Sequence, residues 1–132
     1  TEEEIANRLY KPSYLSFEYA LAYYNILPEM PYTITSATTK PTRTFTVENK
    51  TFFYFKMKKN AYIGYVLIKK GDKSFLIADP EKALVDYLYF VAIGKKPFNE
   101  RLNISLLNKE KLLEYARYYN RAKLFQLIKN LK

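Results

Sequence analysis

The sequence predicts an α+β fold: an antiparallel sheet of four to five strands packed by a central buried helix and flanked by terminal helices. Three observations predict it. Apolar residues near the N-terminus recur with helical spacing; the middle of the chain alternates with period two; helical spacing then returns from residue 80 to the end. With 132 residues, 48% of them apolar and 17% aromatic, the chain has material for one core, and a single domain spanning 1–132 is the expectation.

Each element has its own justification. "TEEEIANRLYKPS", residues 1–13, reads as the remnant or linker of an N-terminal domain, because Thr1 opens the chain without an initiator Met. In "SFEYALAYYNILPEMP", Ser16 is a suitable N-cap, Glu18 suits the first turn, and Asn25 followed by Pro28 marks the end, giving a helix of about ten residues. "YTITSAT", "RTFTV" and "TFFYFKMKK" read as strands, the last placing Phe53, Phe55 and Met57 opposite Phe52, Tyr54, Lys56 and Lys58. "YIGYVLIKKGDKSFLIA" is a hairpin turning at Gly71-Asp72, with Gly64 marking a bulge or a close backbone approach. "IADPEKALVDYLYF" then starts a helix: Asp79 caps it, Pro80 occupies the first turn where no N–H is needed, and Glu81 faces the positive helix end. The apolar residues from Ala83 to Val91 cover nearly the whole circumference, so this helix is central. "NKEKLLEYARYYNRAKLFQLIKNLK" reads as two short helices capped by Asn108 and broken at Asn120. Leu112, Leu113, Ala116, Leu124, Leu127, Ile128 and Leu131 face inward, and Tyr118 and Tyr119 lie among basic residues on the outer faces.

Charge and composition restrict function. The absence of Cys and His removes disulfides, thiolate chemistry, the usual general base and most zinc sites. No apolar run is long enough for a membrane span, so a cytoplasmic protein without membrane contact is expected. The net charge of +9 is uneven: residues 1–39 hold two basic and five acidic side chains (−3), leaving twenty basic and eight acidic (+12) for residues 40–132. Such asymmetry suits an anionic partner. Lys40 and Arg43 on a Pro-containing loop, with Arg117, Arg121 and Lys123 on the C-terminal helices, are the candidate residues for binding nucleic acid or an acidic partner; an ordinary solvated face is the alternative.

Asp86 is the misfit on an otherwise apolar helix. Either it pairs with a Lys, Arg or Tyr elsewhere, or Asp79, Glu81 and Asp86 are metal ligands of a nuclease or transferase. Glu48-Asn49-Lys50 is a weak nuclease-like signal at an apparent hairpin tip, and no phosphate-binding loop or nucleophile motif is present. No cofactor is expected. A module that binds nucleic acid or protein, the latter through exposed Tyr and Phe, is a further alternative; steep salt dependence would distinguish phosphate binding.

The segments "YLSFEYALAYYNILPEMPYTITSATTK" and "IADPEKALVDYLY", followed by a helical tail, resemble the AbiEi-type antitoxins of bacterial abortive-infection, type IV toxin-antitoxin systems. Tyr14, Ser16, Ala20, Leu21, Tyr23 and Tyr24 match the first element of the family pattern, and Thr39 and Lys40 lie at the second. Pro80, Glu81, Lys82, Ala83, Leu84 and Asp86 match the third, which with Asp79 forms the structural motif. The resemblance runs from residue 5 to about residue 131, with Asn25 where the family usually has Gly. It implies a non-enzymatic antitoxin and transcriptional regulator of phage defence. Family members usually begin with a winged helix-turn-helix that binds operator DNA, and of this "TEEEIANRLYKPS" could be only the tail. The domain present here would neutralise a nucleotidyltransferase-like toxin.

Overall fold

The computed structural model describes residues 1–132. Helix α1 (Glu2–Leu9) leads into a three-residue strand β1 (Ser13–Leu15), followed by α2 (Phe17–Tyr23) and three strands, β2 (Thr33–Thr38), β3 (Arg43–Val47) and β4 (Lys50–Lys56). A 3-10 turn at Lys59–Ala61 precedes β5 (Tyr65–Lys70) and β6 (Lys73–Ala78), and α3 (Pro80–Ala92), α4 (Lys109–Ala116) and α5 (Ala122–Lys129) complete the chain.

The α+β class holds, but the sheet differs from the expected one. It has six strands in the order β3-β4-β2-β1-β6-β5, and it is mixed: β1 pairs in parallel with β6, and β2 in parallel with β4. Only the hairpins β3-β4 and β5-β6 and the pair β1-β2 are antiparallel. The hairpins have short local turns. Glu48 and Asn49 take φ of 49° and 67°, and Gly71 takes 61°, the left-handed conformations that tight hairpins need. In the chain β2 and β4 are separated by β3, and β1 and β6 by α2, the four strands β2 to β5 and the 3-10 turn, so neither parallel pair is joined by a tight turn.

β1 sits mid-sheet with all three residues buried, because both its faces are covered. On one face Tyr54 of β4 donates a 2.6 Å hydrogen bond to the Ala6 carbonyl, seating α1. On the other, Tyr14 points to α3, and Phe55 packs edge-on against Phe17 and Phe90. Residues 1–13 form α1 and the first residue of the central strand. The Asn7 side chain also acts as a surrogate strand for β6. Its Oδ1 accepts from the Leu76 amide at 2.6 Å and its Nδ2 donates to the Leu76 carbonyl at 3.3 Å.

α3 is buried nearly all round, as its sequence predicts, and α4 and α5 pack on it. α2 is shorter than expected; its end is set by Asn25 at φ 62°. Asn120, at φ 51°, breaks α4 from α5. No helix is long and apolar enough to cross a membrane.

Candidate functional site: a closed polar centre and two basic patches

Asp79 caps α3 as predicted, its Oδ1 accepting from the Lys82 amide at 2.8 Å, with Pro80 in the first turn. Its Oδ2 accepts from the Tyr115 hydroxyl at 2.5 Å and lies 3.2 Å from Lys111 Nζ. Glu81 accepts from the Asn108 amide at 3.0 Å, fastening the start of α4 to the start of α3. Burial, then the bond to Asp79, push the Tyr115 phenol well above its usual range.

One turn further along, Lys82 and Asp86 meet at 2.6 Å with no solvent exposure of either side chain. The i, i+4 spacing places them on one stripe of the helix. Asp86 accepts from four donors, two per oxygen: Lys82 Nζ and the Tyr119 hydroxyl (2.5 Å) at Oδ1, and the Tyr14 (2.9 Å) and Ser16 (2.8 Å) hydroxyls at Oδ2. The three protons of Lys82 go to Asp86, the Tyr14 oxygen (2.9 Å) and the Ala61 carbonyl (2.7 Å). A carboxylate offers about four lone-pair sites and an ammonium three donors, so both groups are saturated. Asp86 thus pairs with Lys82 and with Tyr and Ser hydroxyls, and it does not converge with Asp79 and Glu81; no three carboxylates come together as a metal site would need.

The chain meets the demands of this centre locally. Ser16 stands at the N-cap position of α2, yet it makes no side-chain cap; its hydroxyl is spent on Asp86. Phe17 turns the chain there at φ 60°, a conformation costing a non-glycine residue roughly 1–3 kcal/mol. Gly64, just before β5, has its carbonyl bonded by the Asp79 amide, and a Cβ there would lie 2.9 Å from both Lys82 Cγ and Tyr115 Cε1. It marks a close approach rather than a bulge within the strand. Burial first, and the Asp86 charge second, hold the Tyr14 and Tyr119 phenols well above their usual range.

The five predicted basic residues are exposed, and they fall into two patches, one beside β3 and one at the α4–α5 junction. Lys40 and Arg43 gather round Tyr10, 5.0 and 5.7 Å from its ring centre, and Arg43 also lies 4.5 Å from that of Phe45. Arg117 follows the last turn of α4, Arg121 is the N-cap residue of α5, and Lys123 lies in its first turn. None of the five makes an ion pair. Tyr118 is exposed among them as expected, but Tyr119 is fully buried, drawn inward by Asp86 and by stacking on Tyr89 at 4.2 Å.

Sequence reasoning placed Lys82 in the structural motif without naming it as the partner of Asp86, and it put Tyr119 on the outer face rather than in the centre. The spacing of Lys82 to Asp86 carries a signal for the first; nothing local marks the second, because Tyr118 and Tyr119 are adjacent and chemically alike. Comparison with known protein families, with curated proteins and with solved structures found no match to this chain.

Proposed function

We propose that this chain is the antitoxin and regulatory domain of an abortive-infection toxin-antitoxin system, without a catalytic set of its own, which opposes a nucleotidyltransferase-like toxin through its basic surface. One observation carries the reading. Tyr14, Ser16, Lys82 and Asp86, which bear the resemblance to the AbiEi-type antitoxins, come together in a single saturated centre, with Lys82 and Asp86 wholly shielded from solvent. These motif residues therefore define the fold, and exposed cations are left as the prominent outward chemistry. Arg121 and Lys123 also stand at the positive end of α5, where a cation opposes the helix dipole, so helix stability does not account for them.

The test is co-expression with a nucleotidyltransferase-like toxin, sought first among the reading frames next to the gene and scored by cell growth. Changing Arg117, Arg121 and Lys123 to Glu is expected to abolish protection, and the same change at Lys40 and Arg43 to weaken it. Melting should shift little, because exposed charges contribute roughly 0–1 kcal/mol each. Full protection by both variants would refute the proposal, as would magnesium-dependent turnover of nucleic acid or nucleotide lost in Asp86→Asn.

A further inference from the structure

A groove of about 640 Å³ opens beside β4; it is lined by none of the five basic residues named above, although its Thr42 adjoins Arg43. Its aromatic wall is Phe53 and Phe55, stacked with ring centres 4.4 Å apart and planes 22° from parallel. Phe55 is the inner ring, held edge-on by Phe17 and Phe90. Phe53 is the outer ring, half-buried, with no aromatic partner except Phe55. Tyr89 lines the groove as well, with Lys56, Lys58 and Lys95 about it, and no lining residue is acidic. Lys56 and Lys95 are exposed and make no ion pair. Lys58 is partly committed, donating to the Tyr119 carbonyl at 2.9 Å.

We infer that this groove binds single-stranded nucleic acid, taking one unpaired base against Phe53 while Lys56 and Lys95 contact its phosphates. An open aromatic face recognises any base by stacking, and unpaired lysines at its border supply the phosphate charge complement; together these are the two components of single-strand binding. A paired base presents no free face, so duplex satisfies only the lysines. A protein partner would have to present an aromatic ring and acidic side chains from separate residues, whereas each nucleotide carries the flat ring and the negative charge in one repeating unit. The inference goes beyond the antitoxin proposal and does not depend on it, since none of the five residues named there lines the groove.

The test is fluorescence anisotropy of the full chain with labelled single-stranded RNA and DNA 12-mers at low salt, competed by the matching duplex and by AMP. Single strands are expected to outcompete both. Phe53→Ala should weaken binding by about 5- to 150-fold, the range for loss of one stacked base. Phe53→Leu keeps an apolar side chain in the strand and should lose nearly as much, with an unchanged circular dichroism spectrum. Lys56→Ala and Lys95→Ala should each lower the slope of log affinity against log salt by about 0.7. Duplex binding as tightly as single strand, AMP competing equally well, no binding to either single strand, or a folded Phe53→Leu variant with unaltered affinity would each overturn the inference.

Discussion

Asp86 gathers four donors where neither it nor Lys82 has any solvent exposure, so each group there depends on the others. Asp86→Ala is expected to cost about 3–5 kcal/mol by stranding the Lys82 ammonium, and Lys82→Met a similar amount by stranding the carboxylate. The double variant should cost less than the sum, because each single change already removes the pair. Urea unfolding of the three variants measures this. The centre also fixes the response to alkali. In the unfolded chain a tyrosine ionises near pH 10, whereas folding holds Tyr14 and Tyr119 neutral well beyond that. Their contribution is therefore complete below about pH 10, and it falls above that by up to about 1.4 kcal/mol per pH unit for each phenol, as the unfolded state releases protons that the folded state retains. Tyr19, Tyr24, Tyr54, Tyr62, Tyr87 and Tyr115 are raised in the same direction, so Tyr119→Phe should remove roughly one eighth of the tyrosine-linked slope in unfolding experiments between pH 10 and 11.5.

At the scale of elements, the close approach at Gly64 determines how α3 and α4 meet the β5-β6 hairpin. Gly64→Ala would put a side chain at φ 77° and press a Cβ onto Lys82 and Tyr115, whereas Gly71→Ala is strained by its φ of 61° but meets open space. The second change should cost about 1 kcal/mol and the first at least twice that, read from thermal melts. The signals that the sequence carried reliably were short-range ones: the Asp79-Pro80 start of α3, the Gly71-Asp72 turn, and the left-handed Asn25 and Asn120. Each is a conformational preference decided within a few residues. β1 was missed because three residues are too few for a period, whereas α1 carried short-range signals of its own, a Thr1 cap and three glutamates in its first turn. The parallel pairs were missed for a related reason: alternation reports a strand and its faces, not the direction of its neighbour. The closed centre was legible as a demand that Asp86 find partners and in the i, i+4 spacing of Lys82, while its other three donors come from β1, the residue after it, and the turn that follows α4.

For the molecule as a whole, these connections mean that the two ends of the chain stand or fall together. Asn7 satisfies both Leu76 backbone groups, so Asn7→Ala should cost about 1–3 kcal/mol and speed amide exchange at Leu76. The Asp86 centre links β1, α3 and the turn that follows α4, so no fragment lacking one of them completes it. Lys82 therefore serves as a chemical clock for the entire fold. An amine-acylating reagent reaches the exposed nitrogens of Lys56 and Lys95 at any time, but it reaches Lys82 only when β1, α3 and α4 separate. Mass spectrometry of partly acylated protein should find Lys82 modified last, at a rate that climbs with urea in step with global unfolding, while the rates at Lys56 and Lys95 stay flat.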